Sequence, residues 1–534
     1  MDKIKSCLWF ILFLVVSDLC GQNFSSSNLP LILIETEEEI PDEPKIEGTI
    51  GIIYNGEGEL NALTDTFYLE SNVKIETRGN STQGFDKKTY SFELKSPGGV
   101  DVSEPLLGMG KEEDWILHAM VIDKSQLRIP MSFDLFRSMG HYASDYRFVE
   151  VMINGEYDGL YILCEKIKRD DDRVDIARLD EDDIAGDSLT GGYILRIDWW
   201  DEQEGFFSDF ESMSGDQQFF HWYYPKADEI KDEQAAYIED YMNQFQEAVL
   251  DPSYTNSLGK KYTDYIDITA FVDFLLINEF SKNSDGYKLS TYLHKDKDSK
   301  DGRLKMGPIW DFDQTYGLST VCSSHITDGW TFLQNQDDCT DLESMPLWWG
   351  RLMEDPVFVN HLKCRWESAK ENQYNEDSIF YWIDNNVLNL QEPLDRNFER
   401  WDFIGQQIWI EPDPFPQTYE EEIDYLKNWI SERIDWIDAN IPGNCEDDVV
   451  SIDEVSEASH KLKMFPNPTN ERVTLEVPFD GVLQLTDVNG NIIEHRNVKK
   501  GKLMIELKNV TSGMYFLTLT STSEVLSCRI SLVK

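Results

Sequence analysis

Basic residues are scarce in this chain of 534 residues. It has 48 Lys and Arg against 100 Asp and Glu, which gives a formal net charge of −52. Because binding to nucleic acid requires a basic face for the phosphates, this deficit argues against a nucleic-acid partner. It also disfavours anionic membrane surfaces, whereas cationic partners and divalent metals remain compatible with it.

Long apolar segments are missing as well. The apolar run from Cys7 to Val16 follows Lys3 and Lys5 and is too short to span a bilayer. A basic start followed by a short apolar core is typical of a secretory signal peptide, and we predict one over residues 1–21. With no transmembrane segment expected after it, the protein should pass through the periplasm and be secreted or held at the cell surface.

Cysteine is also infrequent, with eight residues in the whole chain. No two cysteines have the C-x-x-C spacing, which argues against a zinc site. In an oxidising compartment one or two disulfides are expected. We predict the pair Cys322–Cys339, which would close a loop after Asp313, although spacing alone allows other pairings.

The periodicity of the chain predicts an α+β fold. Hydrophobic residues alternate in short runs up to about residue 198, which indicates a mainly antiparallel sheet, and Asn154–Gly155 marks a hairpin within it. After residue 226 the period becomes helical, with one helix capped by Asp267 and another begun by Asp355–Pro356. The first half of the main domain should therefore be β-rich and the second half α-rich.

Changes in composition suggest the domain boundaries. Residues 22–44 form an acidic lead-in with one candidate strand at Leu31–Ile34, and residues 45–443 form the main domain. Residues 444–461 are acidic and lack periodicity, which is typical of a linker. Residues 462–534 contain short alternating runs and a hairpin signal at Asn489–Gly490, and they predict a small all-β sandwich module.

The stretch from Asn278 to Gly317 carries the strongest signal for chemistry. Asp285 follows an apolar helical run, while Asp311 and Asp313 lie in the motif DFD. The segments KLSTYLH and RLKMGPIW between them predict a hairpin that would bring the two acidic positions together. Carboxylates so arranged can hold Mg²⁺ on a triphosphate and orient an attacking hydroxyl. Capping of turns is the ordinary alternative for each aspartate.

This stretch, together with RGNSTQGFDKKTYSFELK upstream, resembles the CotH family of atypical, spore-coat-type protein kinases. The resemblance implies a two-lobed, kinase-like domain that uses ATP and Mg²⁺ to phosphorylate Ser or Thr hydroxyls of other proteins or of itself. It implies that Asp285 and Asp311 are catalytic, and that Asp311 and Asp313 hold the metal. Ser290 occupies the position where better-known kinases have a metal-binding Asn, so it is predicted as a third metal ligand, although serine is a poorer one.

The same resemblance implies four residues that bind the nucleotide. Arg78 belongs to the RGNS motif, and Arg128, in SQLRIPMSFDLFRSMG, matches a family arginine. On a strand only one residue of the pair Lys87–Lys88 can enter a site, and we favour Lys88. Glu165 would pair with this lysine and fix its position. A non-catalytic adhesion or binding module on the same fold is the alternative function.

The last module has a resemblance of its own. The segments FPNPTNERVTLEV, LTDVNGNII and TSGMYFLTL resemble the C-terminal sorting domain of type IX secretion in Bacteroidetes. This resemblance implies that the type IX machinery is a partner, and that the tail is an export address without a part in catalysis.

Overall fold

The computed structural model describes residues 24–79, 81–200, 204–333, 339 and 345–445, followed by parts of 463–532. Residues 466–471, 478, 488–491, 509, 511–512 and 522–524 interrupt the last range. The predicted signal peptide and the turn at Asn489–Gly490 lie outside the described residues. The chain divides into two units, residues 1–445 and 446–534.

The first half of the first unit is rich in strands, as predicted. Its strands are β1 (Ser26–Ser27), β2 (Leu31–Thr36), β3 (Ile46–Ile53), β4 (Asn61–Ala62), β5 (Leu69–Arg78), β6 (Thr89–Lys95), β7 (Glu104–Pro105), β8 (Lys111–Glu112), β9 (Asp114–His118), β10 (Tyr146–Ile153) and β11 (Glu156–Glu165). Seven of them close into a barrel in the order β10-β11-β9-β6-β5-β3-β2. The short strands pair separately, β1 with β4 and β7 with β8.

Closure of the barrel depends on β2, which lies in the segment predicted as an acidic lead-in. It pairs antiparallel with β3 and parallel with β10, where Leu31 lies opposite Glu150. The other neighbouring pairs are antiparallel. Alternate residues of these strands point inward and form an apolar core that includes Ile32, Ile52, Val73, Phe92, Trp115, Val151 and Leu163.

A second, five-stranded sheet follows the barrel. Its strands are β12 (Tyr193–Ile197), β13 (Gly205–Glu211), β14 (Gln217–Tyr224), β15 (Thr291–Lys295) and β16 (Lys305–Met306), in the order β13-β14-β12-β15-β16. The pair β15–β16 is the hairpin predicted between Asp285 and Asp311. Strand β15 of this hairpin also pairs with β12, a contact that the sequence does not predict.

Helices dominate the rest of the first unit, which confirms the predicted change of period. They are α1 (Arg128–Ser138), α2 (Asp232–Leu250), α3 (Ile268–Ser281), α4 (Trp348–Leu352), α5 (Pro356–Glu371), α6 (Glu376–Arg400) and α7 (Tyr419–Asn440). Asp267 caps α3 by accepting from the N–H groups of Thr269 and Ala270, and Asp355 caps α5 with Pro356 as its first residue. The sequence analysis did not predict α6.

The described residues of the second unit form two small sheets. Its strands are β17 (Lys463–Phe465), β18 (Arg472–Val477), β19 (Gly481–Asp487), β20 (Ile492–Val498), β21 (Gly501–Glu506), β22 (Gly513–Thr520) and β23 (Val525–Leu532). They form the sheets β17-β18-β21 and β20-β19-β22-β23. Leu475 and Leu485, one from each sheet, belong to the same buried core, as in the predicted sandwich.

Two disulfides cross-link the first unit. Cys322–Cys339 is the predicted pair, and Cys364–Cys445 ties α5 to the end of the unit. Cys164 is buried on β11 and keeps a free thiol. Within the described residues, none of the helices has both the length and the apolar character needed to cross a membrane.

Candidate active site

Asp285 lies in a tight loop directly after helix α3. The helix ends at Ser281, and the capping residue Lys282 has a left-handed φ of 50°. The backbone N–H of Asp285 then donates to Oδ1 of Asn283 at 3.1 Å. The hydroxyl of Tyr287 donates to the buried Glu279 at 2.8 Å and so fixes the middle of the loop to the helix. Asp285 itself is half-buried at this loop.

Asp311 begins the second acidic loop, which follows strand β16. The hydroxyl of Ser290 donates a hydrogen bond of 2.6 Å to Oδ2 of Asp311, so the two loops meet at these side chains. Ser290 has a φ of 44° and Asp311 a φ of 56°, both in the left-handed region that L residues with a Cβ rarely adopt. Backbone strain of this kind persists where the surroundings enforce it and is concentrated at functional sites.

Asp313 is buried beside these two groups. Burial raises the pKa of its carboxyl well above the ordinary value, and the negative charges of Asp311 and Asp285 raise it further. Asp285 and Asp311, both predicted from the sequence, are therefore close enough to act on Asp313. Such mutual repulsion is what a cation would relieve.

Arg78 reaches the same place from the barrel. It ends strand β5, and its guanidinium carbon lies 5.7 Å from the ring centre of Trp310, the residue before Asp311. Burial raises the pKa of Asp311, while the hydrogen bond from Ser290 and the positive charge of Arg78 oppose that rise. The site therefore combines groups from the barrel with groups from the second half of the unit.

The structure adds two residues that the sequence analysis missed, Arg196 and Asp198. Strand β12 pairs with β15 so that Ile197 lies opposite Thr291, which follows Ser290 directly. Asp198, one residue beyond Ile197, is thus brought next to the acidic loops, and its charge acts on Asp311. No sequence motif signals these residues, because the β12–β15 pairing joins segments far apart in the chain.

The donor atoms at this site suit Mg²⁺. Carboxylate oxygens are the ligands that this ion prefers, and it is usually held by one or two carboxylates together with substrate phosphates. Asp311 and Asp313 could supply those carboxylates, whereas the hydroxyl of Ser290 is engaged with Asp311. A tighter acidic group among the described residues, Glu112–Asp114, already has the Lys168 ammonium within 2.9 Å of each carboxylate and offers no comparable site.

The predicted lysine–glutamate pair is not formed among the described residues. Lys88 Nζ donates to the carbonyl oxygen of Gln83 at 2.6 Å. Glu165 instead accepts from the hydroxyl of Tyr142 at 2.9 Å and from the backbone N–H of Asp145 at 3.0 Å. Lys88 lies one residue before β6 begins, so the alternation of side chains along that strand does not determine where the Lys88 side chain points.

Lys87, not Lys88, is the buried lysine of the pair. Its Nζ donates to the carbonyl oxygens of Ala119 and Leu160 and to Oδ1 of Asn397 on helix α6, at 3.0, 2.6 and 3.0 Å. Burial lowers its pKa to about 7, and the nearby charge of Asp158 opposes this shift. In this arrangement Lys87 ties the barrel to α6.

Arg128 supports the second acidic loop from the protein interior. It is fully buried, and its guanidinium contacts Asp123 at 2.6 Å and Glu422 on α7 at 2.7 Å. Its Nε donates to the carbonyl oxygen of Thr315 at 3.0 Å, two residues beyond Asp313. These contacts position the loop, and they do not bring Arg128 among the aspartates in the way predicted for a nucleotide-binding residue.

The first unit is thus an α+β protein with a buried-carboxylate site built from both of its halves. Comparison with known proteins identifies its family: residues 75–437 match the model described as CotH kinase protein, and the chain belongs to that family. The inner spore coat protein H of Bacillus subtilis (strain 168) is 22% identical over 365 residues, which cover 67% of this chain and 87% of that protein.

The second unit is matched separately. Residues 463–533 fit the model of a secretion system C-terminal sorting domain. This domain indicates export through the type IX system, to the cell surface or outside the cell. The resemblance predicted for the tail is therefore confirmed.

Proposed function

We propose that this protein is an ATP- and Mg²⁺-dependent kinase that phosphorylates Ser or Thr hydroxyls of exported or surface proteins, or of itself. The observation that carries the proposal is the cluster of Asp285, Asp311 and Asp313, whose charges raise the pKa of the buried Asp313 carboxyl. Ionisation of all three carboxyls in such a cluster costs free energy, and a bound cation would relieve that cost. Membership of the CotH kinase family supports the same conclusion.

The roles of the residues follow from their positions. Asp311 and Asp313 would hold Mg²⁺, which when bound neutralises charge on the phosphates. Asp285 is half-buried on a separate loop, where it would accept the proton of the acceptor hydroxyl. Arg78, on the barrel, would contribute a positive charge toward the phosphates. The Ser290 hydroxyl keeps the Asp311 carboxylate oriented.

A two-lobed organisation is part of this proposal. One lobe would be the barrel, which contributes Arg78, and the other the helical half with the five-stranded sheet, which contributes the three aspartates. Nucleotide between two such lobes would be sequestered from water, which strengthens the electrostatic interactions around it.

Calorimetry with ATP–Mg²⁺ tests the proposal, together with labelled phosphate transfer to a Ser-rich peptide and to the protein itself. Asp311→Asn should lose both binding and transfer, by about 10²-fold or more, because positioning and charge neutralisation provide the catalysis. Asp285→Asn should keep binding and lose transfer. Asp301→Asn, in the β15–β16 turn, is the matched control, since its carboxylate pairs with Arg303 on the surface.

An absence of both binding and transfer in the wild-type protein would contradict the proposal. The alternative function, an adhesion or binding module on the same fold, would then be favoured.

A further inference from the structure

Arg196 occupies a position that the proposed roles do not explain. It lies on β12 opposite Tyr292 of β15, two residues beyond Ser290. Side chains directly opposite each other on antiparallel strands point to the same face of the sheet. Arg196 therefore shares a face of the sheet with Tyr292, and its positive charge reaches Asp311.

The surroundings of Arg196 hold its guanidinium in place. Its Nε lies 3.5 Å from Oδ2 of Asp198, and its guanidinium carbon lies 5.8 Å from the ring centre of Tyr223. The rings of Tyr223 and Tyr292 meet edge to face at 5.0 Å, so they brace one side of the guanidinium. An arginine fixed in this way loses little conformational freedom when it binds a ligand.

One donor of this guanidinium has no acceptor. Asp198 forms an ion pair with this guanidinium and the Tyr292 side chain forms a hydrogen bond with it, but its buried Nε–H makes no hydrogen bond to any of the described residues. A buried donor without an acceptor costs free energy, and arginine at a functional site commonly meets that need with an oxyanion. The positive charge of Arg196 also acts on Asp311, as that of Arg78 does.

We propose that Arg196 is a second phosphate-binding arginine, which donates from Nε to an oxygen of the nucleotide's phosphate chain. The inference rests on the proposed function, because it names the group that the same site binds. Arg78 belongs to the barrel and Arg196 to the five-stranded sheet, so positive charges from two different elements act on Asp311. Asp198 then serves to orient Arg196.

The test uses the full chain with Arg196→Gln and Arg196→Lys. Calorimetric titration with ATP–Mg²⁺, and separately with inorganic tripolyphosphate and Mg²⁺, measures phosphate affinity with and without the nucleoside. Loss of one charge-assisted hydrogen bond should weaken both ligands by about 10- to 100-fold. Arg196→Lys keeps the charge but lacks an Nε–H, so it should recover only a small part of the affinity.

Arg303→Gln is the matched control. Arg303 lies just before β16 of the same sheet and pairs with the carboxylate of Asp301, outside the site. It should leave both affinities unchanged. Melting temperatures of all variants, measured without ligand, identify any loss of affinity that comes from unfolding. If Arg196→Gln does not fold, the affinities of Arg196→Lys are compared with those of the wild type.

The outcomes separate this inference from the proposed function. Wild-type affinity in a folded Arg196→Lys or Arg196→Gln variant would overturn the role of Arg196 and leave the kinase proposal standing. The wild type could bind tripolyphosphate but not ATP, and the Arg196 variants could lose that binding. This result would support phosphate binding by Arg196 and contradict the kinase proposal. Absence of binding to either ligand by the wild type would overturn both.

Discussion

The hydroxyl of Ser290 and the carboxylate of Asp311 form a hydrogen bond of 2.6 Å that joins two loops 21 residues apart in the sequence. Ser290 stands where better-known kinases have a metal-binding Asn, and sequence analysis predicted it as a weakened metal ligand. Its observed partner is a carboxylate instead. The residue would therefore act on the proposed metal site through Asp311.

Ser290→Ala should weaken the binding of Mg²⁺–ATP by about 5- to 10-fold, the equivalent of one ordinary hydrogen bond. The loss should be greater at pH 6 than at pH 8, because this bond lowers the pKa of Asp311 and its removal lets protons compete better with the cation. Calorimetry at both pH values measures the effect. Ser299→Ala is the control, since its hydroxyl binds Asp187 in an exposed turn; an equal loss there would refute the assignment.

Asp313→Asn should raise the melting temperature at pH 7.5 in the presence of a chelator. The folded-state pKa of Asp313 lies above its unfolded value, so ionisation is more costly in the folded protein, and stability falls as pH rises from the unfolded pKa through the folded one. A neutral amide removes that cost, so the gain should shrink as the pH approaches 4.

Thermal scans from pH 4 to 8, with chelator and with Mg²⁺–ATP, check this prediction. The ligand should stabilise the wild type and have much less effect on Asp313→Asn, since one metal-holding carboxylate is lost. Asp228→Asn, at an exposed position, should not change the melting temperature. If Asp313→Asn melted at a lower temperature than the wild type in chelator, ionisation of Asp313 would not be destabilising the folded protein.

Local features of the fold could be predicted from the sequence, because each depends on neighbouring residues. The hairpin at Asn154–Gly155 forms with φ values of 51° and 78°, and the caps at Asp267 and Asp355 are present. Helix α6 was not predicted, although Asn375 caps its N-terminus; the helix also contains Pro393 in its interior.

Long-range pairings could not be predicted in the same way. Barrel closure requires β2 to pair with β10, and the register Ile197–Thr291 requires β12 to pair with β15. Neither pairing has a local signature. The predicted aspartates meet because one hairpin separates them, whereas Arg196 and Asp198 reach the site only through the second of these pairings.

The two disulfides should differ in their contribution to stability. In the chain-entropy model a closed loop of 17 residues stabilises the fold by about 3 kcal/mol and one of 81 residues by about 4.5 kcal/mol. Denaturant unfolding of Cys322→Ser/Cys339→Ser and of Cys364→Ser/Cys445→Ser compares them. An equal loss in both double variants would contradict the loop-length explanation.

Loss of Cys322–Cys339 should also weaken Mg²⁺–ATP binding. Lys288, three residues after Asp285, has its Nζ 3.6 Å from the sulfur of Cys322 and 3.7 Å from that of Cys339, so the disulfide supports the loop of Asp285. Calorimetry on the two double variants, at a temperature where both are folded, checks this. Equal affinity in both would mean that the disulfide does not support the site.

Removal of residues 446–534 should leave a folded first unit that is not exported beyond the periplasm. The division between the units falls after Cys445, so this truncation keeps the Cys364–Cys445 disulfide, and the sorting domain at residues 463–533 is lost. Removal of residues 444–534 is the matched control. It also deletes the sorting domain but breaks the disulfide, so its stability should be lower by about 4.5 kcal/mol. Fractionation of cells that express the full chain and both truncations measures location, and thermal unfolding of the purified proteins measures stability.

The two measurements test two separate claims. Export of either truncation at the level of the full chain would contradict the role of the tail. Equal stability of the two truncations would instead contradict the stabilising role of the disulfide and leave the role of the tail unaffected.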